Sequence, residues 1–402
     1  MRLRVLLREV PVGVLERHQD GRIVFRFDEA YLVLPERPVL GRWFEDHLVP
    51  PLEYTGQSGR LPSFFQNYLP EDESALRTLL ARKAGVKEHQ ELPLLAALGG
   101  DLPGAIAVRA DDPAAPGAEL DEPAPSSPAG GEEALRFSLA GMQLKFSVLQ
   151  QGSRFTLPVT GQGGRWIVKL PDTRYPRVPE NEYSMLAWAR ELGLCVPEFK
   201  LVQVADIEGL PDELRFDEAL ALAIRRFDRD EHGSRIHQED FAQVLNMRPR
   251  DKYRSHNYAT IANIVRSVCG EADYEELVRR LVFVVLSGNA DAHLKNWSLV
   301  YPDGRRARLS PAYDLVSTVA YGPGLDRRLA LRLSGEKDFF SISRAHFETL
   351  AARINASPER TGALVSETAS RAREAWARLC GSLPIAPGAR EALEKHLKMI
   401  AI

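Results

Sequence analysis

Residues 281–286, Leu-Val-Phe-Val-Val-Leu, run straight into "SGNADAHLKN", and "WSLVY" follows at once. Six apolar residues in a row need cover on every side, so this element belongs to an interior. The chain leaves that interior through Asn289, Asp291, His293, Lys295 and Asn296, all within eight positions. It then re-enters as a strand-like apolar run. Any fold built on this stretch must place a dense set of hydrogen-bonding and metal-binding groups at the ends of two buried elements. Buried polar groups are costly unless they are paired or put to use.

The chain has 402 residues, enough for two or three domains. At 44% hydrophobic and 27% charged it has the composition of an ordinary globular protein. A net charge of -3 gives no global reason for nucleic-acid or membrane binding. Cys195, Cys269 and Cys380 are far apart and odd in number, which fits a reduced, cytoplasmic setting rather than a disulfide framework. The N-terminus "MRLRVLLREVPVGVL" lacks the apolar core of a signal peptide. No run approaches the ~20 apolar residues that span a bilayer.

Residues 2 to 34 read as strands, "LRVLLREV" and "GRIVFRF", around an Asp20-Gly21 turn. The following "SGRLPSFFQNYLPEDESALRTLLARKAG" turns helical, with Asp72, Glu73 or Ser74 as cap. This is a compact α/β unit over residues 1–110. Residues 111–134, rich in Pro, Ala, Gly and acid, read as a flexible linker. Strands "RFSLAG", "LKFSVLQ", "RFTLPV" and "RWIVKLP" then suggest an antiparallel meander. A helix, "ENEYSMLAWARELG", follows with Met185, Leu186, Ala189 and Leu192 on one face and Gly193 as its stop. Two more strands come next, and from about 237 onward the chain is mainly helical.

Asp291 and Asn296 are five apart, and a second acid, Asp314, follows a further strand-like segment. An Asp that orients a hydroxyl, an Asn five residues on and a later Asp form the protein-kinase arrangement. There the Asn and second Asp hold Mg²⁺, a hard cation that takes oxygen ligands and keeps its other positions for waters and phosphates. Taken alone, D-x4-N equally describes an Asp and an Asn capping a turn. Lys169 in "RWIVKLP" precedes a helix bearing Glu180 and Glu182, which matches a strand lysine paired to a helix acid; the plainer reading is a solvent-facing lysine. His293 either contacts the transferred phosphate or braces Asp291, or else makes ordinary loop hydrogen bonds. No further His or Cys at ligand spacing supports a zinc site. There is no GxxxxGK[ST], which argues against a P-loop hydrolase.

With these pieces in view the chain resembles the HipA family, bacterial serine/threonine kinase toxins of type II toxin–antitoxin systems. The matching segments are "LPSFFQNYLPE", "FSLAGMQLKFSV", "WIVKLP", "ENEYSMLAWARELGL", "RRFDRD", "HQEDFAQVL", "GNADAHLKNWSLVY" and "LSPAYDLVS", in the family's order from about residue 5 to 370. The resemblance implies an α+β fold. Its parts are a small N-terminal α/β domain, a β-rich ATP-binding lobe at about 135–228 and a mainly helical catalytic lobe at 229–402. It implies ATP and Mg²⁺ as cofactors. Asp291 is then the catalytic Asp with His293 beside it, Asn296 and Asp314 are the metal ligands, and Lys169 is the phosphate lysine. Glu182 is its acidic partner, with Glu180 as the alternative. Ala140, Gly141, Met142, Gln143 and Lys145 fall in the phosphate loop. Ser138 falls where family members phosphorylate themselves; otherwise it is a strand-end serine. Arg226 and Phe227 resemble the hinge under the adenine. Implied partners are a protein substrate such as an aminoacyl-tRNA synthetase and a HipB-like helix-turn-helix antitoxin. Operator DNA enters through that complex, and "NMRPRDKYR" and "DGRRAR" either touch its phosphates or are solvated surface. Two departures stand out: Arg225 replaces the hinge Glu, and Asp314 lacks a following Gly. A small-molecule or lipid kinase of related fold, and a silent nucleotide-binding partner protein, are the competing readings.

Overall fold

The opening hairpin turns at Arg8 and Glu9, both at positive φ (50° and 64°). Two consecutive left-handed residues form the tight turn whose twist suits paired strands. The run "LRVLLREV" is therefore split between β1 (Arg2–Leu7) and β2 (Val10–Arg17). The computed structural model describes residues 1–48, 50, 52–72, 74–111, 145–151, 154–156, 164–210, 216–322 and 328–402. The assigned linker beyond Asp111, the strand "RFSLAG", Ser138 and Ala140 to Gln143 lie outside the described residues.

β3 (Ile23–Phe27), β4 (Glu53–Thr55) and β5 (Ile106–Ala110) complete an antiparallel sheet of order β4-β3-β2-β1-β5. Residues 29–32 were expected to extend the strands but form a short helical turn, Glu29–Leu32. Its Tyr31 ring stacks on Phe27 at 5.8 Å and is buried, so packing overrides the local pattern. Phe25, Phe44, Phe64 and Phe65 are fully buried in the same core. Of the three candidate caps, Ser74 starts the helix Ala75–Lys83, its hydroxyl accepting from the Arg77 N–H at 3.1 Å.

A second sheet holds β6 (Lys145–Gln151), β7 (Arg154–Thr156), β8 (Trp166–Lys169), β9 (Phe199–Gln203), β10 (Ile207–Glu208) and β11 (Leu220–Arg225). Its order is β10-β7-β6-β8-β11-β9. The expected meander is corrected here, because β8 pairs with the far edge of β6 and not with β7. Gly164 permits that return. A Cβ at this position would sit 1.7 Å from the Val148 carbonyl oxygen, so Gly164 serves a close backbone approach. The helix Val178–Glu191 covers the sheet with Met185, Leu186 and Ala189 buried; Leu192 caps it, and Gly193 follows at φ +87°.

The C-terminal body is mainly helical as expected, with Tyr258–Cys269, Glu271–Ser287, Arg344–Arg353, Pro358–Leu379 and Pro387–Met399 sharing one core. Interposed is a small sheet of β12 (His237–Asp240), β13 (Ser298–Tyr301) and β14 (Arg308–Leu309). The whole is the α+β arrangement the sequence implied. No helix among the described residues is long and apolar enough to cross a membrane.

The N-terminal unit is joined to this body by buried polar contacts. Glu239 on β12 is fully buried and accepts from the Tyr301 hydroxyl and, at 2.8 Å, from the Arg42 N–H. Its second oxygen has no partner. Burial raises its pKa from 4.5 to about 7, against the pull of those two donors. The folded chain thus keeps a proton there that the unfolded chain has released, and stability from this group falls as pH rises from 4.5 to about 7. Glu239→Gln presents the same shape without the charge. It is expected to be more stable than the parent by about 1–3 kcal/mol above that window. The difference should vanish below it, and urea midpoints measured from pH 4 to 8 would show the crossover; parallel curves would exclude it.

Candidate active site

The helix Glu271–Ser287 ends in a defined cap. The Asn289 N–H donates to the Val284 carbonyl at 3.1 Å, and the Gly288 N–H to that of Val285 at 3.3 Å. Gly288 is left-handed, at φ 63°. This is the Schellman pattern that stops a helix and redirects the chain. A Cβ on Gly288 would also meet Val319 methyls at 2.5 and 2.7 Å. The buried apolar run therefore delivers its polar cluster at one fixed angle.

Asn289 comes first in that cluster and is buried. Its Oδ1 accepts from the Asp291 N–H at 2.9 Å, and its Nδ2 donates to the Asp314 carbonyl at 3.2 Å. One amide thus ties the two aspartates together. Asp291 accepts from the Tyr253 hydroxyl, and about half of its side chain is open to solvent (53%). Desolvation pushes its pKa up, opposed by the Tyr253 bond and by Lys252. Asn296 folds back, its Nδ2 donating to the Asp291 carbonyl at 2.7 Å. No described residue donates to its Oδ1.

Lys169, at the end of β8, is buried and donates to Glu182 at 2.5 Å and to Asp314. The neighbouring Glu180 instead pairs with Arg177 at 2.8 Å, so it is Glu182 that meets the lysine. Burial opposes the Lys169 charge, but Asp314 and Glu182 outweigh it and raise its pKa. Burial likewise opposes ionisation of Asp314, yet Lys169 and Lys145 take it far below the usual carboxylate range. Glu182, fully buried, is pushed up by desolvation. Lys169 bonds both carboxylates, and Lys145 acts on both from further off. Asp314 also has φ 53°, an uncommon conformation for a non-glycine residue and one concentrated at functional sites. Lys145 lies directly across from Lys169 in the sheet register.

His293 is buried, and burial followed by Lys252 lowers its pKa to about 3, so it is neutral. Its Nε2 is 3.9 Å from Asp291, beyond hydrogen-bond reach, and its Nδ1 has no partner from another residue. The brace on Asp291 is thus supplied by Tyr253.

The hinge residues are engaged elsewhere. The Arg226 N–H donates to the Arg165 carbonyl at 2.8 Å. Its guanidinium is buried against Asp228 (2.8 and 2.9 Å) and Asp101 (2.9 and 3.1 Å). The Phe227 ring lies 5.6 Å from that of Tyr313, and Arg225 pairs with Glu198 at 3.3 Å.

Tyr253, the linking role of Asn289, and Asn181 were not read from the sequence as parts of the site. Asn181 exchanges two 3.0 Å hydrogen bonds with the backbone of Ser317, clamping the Glu182 helix to the segment after Asp314. Its signal was its place beside Glu182. Tyr253 sits inside "NMRPRDKYR", whose arginines give that stretch the character of solvated surface.

Residues 3–109 match the HipA N-terminal domain, and residues 137–376 match the HipA-like C-terminal domain. A Sinorhizobium fredii protein named as a kinase, Y4dM, is 41% identical over the whole of this chain and 97% of its own length. The serine/threonine-protein kinase toxin HipA of Shewanella oneidensis is 27% identical over 73% of this chain and 71% of its own. The solved complex of Shewanella oneidensis HipA with HipB and operator DNA shares the fold at a TM-score of 0.74 and 21% identity, covering 99% of this chain and 95% of that one. Both halves of one architecture occur here in order on a single chain, which therefore belongs to the HipA family and is a HipA-type kinase.

Proposed function

We propose that this chain is an ATP-dependent serine/threonine protein kinase toxin. It transfers the γ-phosphoryl group of ATP to a bacterial protein, a translation component such as an aminoacyl-tRNA synthetase. The observation that carries this reading is the convergence of Lys169, Glu182 and Asp314 beside the Asp291 loop, from four separated parts of the chain. Lys169, held between two acids, is set to meet the α- and β-phosphates. Asn296 and Asp314 are the residues that would hold Mg²⁺, which when bound neutralises charge on the phosphate oxygens. The donor set fits a hard cation: one carboxylate and one amide oxygen. Among the described residues no three His, Cys, Asp or Glu side chains form a cage of their own. That suits Mg²⁺, which is usually held by one or two carboxylates together with substrate phosphates.

Asp291 orients the acceptor hydroxyl. Its oxygen attacks the γ-phosphorus, the bond to the bridging oxygen breaks, and the proton passes to the carboxylate. The transition state is loose, so positioning and charge neutralisation supply most of the acceleration. Ala140 to Gln143 and Lys145 serve as the phosphate loop; Phe227 contributes its ring to the adenine hinge, where Arg226, its N–H and guanidinium already bonded, holds the segment in place. Phosphorylation of Ser138 silences the enzyme. Neutralisation by a HipB-like helix-turn-helix antitoxin is supported by the likeness to a toxin solved with HipB and operator DNA.

The test is intact-mass spectrometry of the full chain with Mg-ATP, alongside labelled ATP offered to proteins, lipids and small molecules. One added phosphate at Ser138 and label in protein are expected. Asp291→Gln should slow transfer by about 10²-fold while ATP still binds. Label in lipid or a small molecule alone would overturn the protein-kinase assignment. An Asp291→Gln enzyme at the parental rate would remove Asp291 from its role.

A further inference from the structure

We infer that Tyr253 is a positioning residue for Asp291, and that the N-terminal unit holds it there through Glu71 and Lys252. The inference rests on the kinase reading above, because it needs Asp291 to receive the acceptor hydroxyl.

Three observations carry it. The Tyr253 hydroxyl donates to Asp291 Oδ1, whereas no described residue donates to Oδ2. A carboxylate turns in a broad torsional well, so a donor fixed on one oxygen sets the plane and leaves the other oxygen facing the acceptor. Second, Tyr253 is 42% exposed, so burial does not order its side chain; specific contacts do. Its ring meets that of His293 edge-on at 4.9 Å, and the Leu294 N–H donates to the Lys252 carbonyl at 3.2 Å, tying this loop to the catalytic loop. Third, the loop is gripped from the N-terminal side, where Lys252 pairs with Glu71. A parallel grip lies close by: Lys295, inside the catalytic loop, donates to the Asn67 carbonyl and side chain at 2.9 and 3.0 Å.

The segment "NYLPE" of the N-terminal unit therefore contacts the catalytic loop at two points. One is direct, through Lys295; the other runs from Glu71 through Lys252 and Tyr253 to the catalytic carboxylate. This gives the N-terminal unit a part in catalysis that is separate from recognising a substrate or a partner. A base within reach of its acceptor, oriented in turn by a third group, is the recurring logic of activated sites.

The experiment uses the full chain with Mg-ATP, following initial autophosphorylation rates and Mg-ADP affinity by calorimetry. Tyr253→Phe keeps the exposed ring and loses only the hydroxyl. It should lower kcat by about 10-fold, with the KM for ATP and the ADP affinity unchanged. Lys252→Glu and Glu71→Lys should each lower kcat several-fold, and the charge-swapped double variant should recover more than half of that loss. A purely structural contact would shift melting temperature and ATP binding together without this split. Parental or faster turnover in Tyr253→Phe overturns the inference, as does a swap no better than its single variants. If the parent transfers phosphate and Asp291→Gln does not, such results sink this inference alone. A parent without transfer sinks the kinase reading along with it.

Discussion

Lys169→Met is expected to abolish phosphoryl transfer and to destabilise the fold at the same time. Among the described residues the lysine is the sole cation bonded to Glu182, which is fully buried, and it also holds Asp314, which keeps about a quarter of its side chain (26%) in solvent. Methionine fills similar space but leaves two carboxylates without their cation. Removing one partner of a buried ion pair costs about 3–5 kcal/mol, and the partial exposure of Asp314 favours the lower end. Loss of a charge aimed at the phosphates should slow transfer by about 10³-fold.

The two effects separate in a second variant. Glu182→Gln added to Lys169→Met removes the stranded buried charge, so most of the lost stability should return. Activity should not, because the phosphate-facing ammonium is still missing. Urea midpoints and initial rates on the parent, the single and the double variant read both quantities. Equal stability of the single and double variants would mean that Glu182 is not charged in the folded chain. Recovery of activity in the double variant would mean that Lys169 acts only through the fold.

The sequence made the centre of this site legible because its parts carry local signatures. A six-residue apolar run followed by five polar side chains has few structural explanations; Asn296 stands five residues after Asp291, and Asp314 follows the next strand-like segment. Strand and helix periodicity placed the lysine on β8 and an acid on the next helix, and left Glu180 and Glu182 open; the resemblance favoured Glu182. What stayed hidden depends on contacts between distant segments. Asn289 bridges Asp291 and Asp314 only because the strand after it returns alongside. Tyr253 lies 38 positions from its partner, in a stretch whose arginines suggest surface. The order β7-β6-β8 turns on a single glycine contact at Gly164. The break at Arg8 and Glu9 carries none of the Asn-Gly chemistry that usually marks such a turn. Arg226 was assigned by analogy of motif, which places its backbone near a hinge but says nothing of where a five-donor side chain finds its carboxylates.

Those carboxylates set the second large expected effect, at Asp228. Its side chain is buried and accepts from Arg226 at 2.8 and 2.9 Å, from Arg229 at 3.0 Å and from the Gly104 N–H at 2.7 Å. Gly104 belongs to the N-terminal unit, so one carboxylate joins the end of β11 to the strap that precedes β5. Asp228→Ala leaves two buried guanidinium groups with Asp101 as their shared carboxylate, which each reaches at 2.9 Å, beside neutral acceptors such as the Leu102 carbonyl. Burial already outweighs the carboxylates around Arg229 and lowers its pKa, so it has little compensation to lose. The expected cost is about 3–5 kcal/mol. Asp228→Asn keeps an acceptor but not the charge and should cost about half as much. Because the lost contacts lie between two cores, the single unfolding transition should split, with the N-terminal unit melting first while near-ultraviolet signals from the helical body persist. If the transition stays single and its midpoint is unmoved, the junction is held without Asp228, by its apolar contacts and by the bonds of Glu239, Asn67, Glu71 and Asp101.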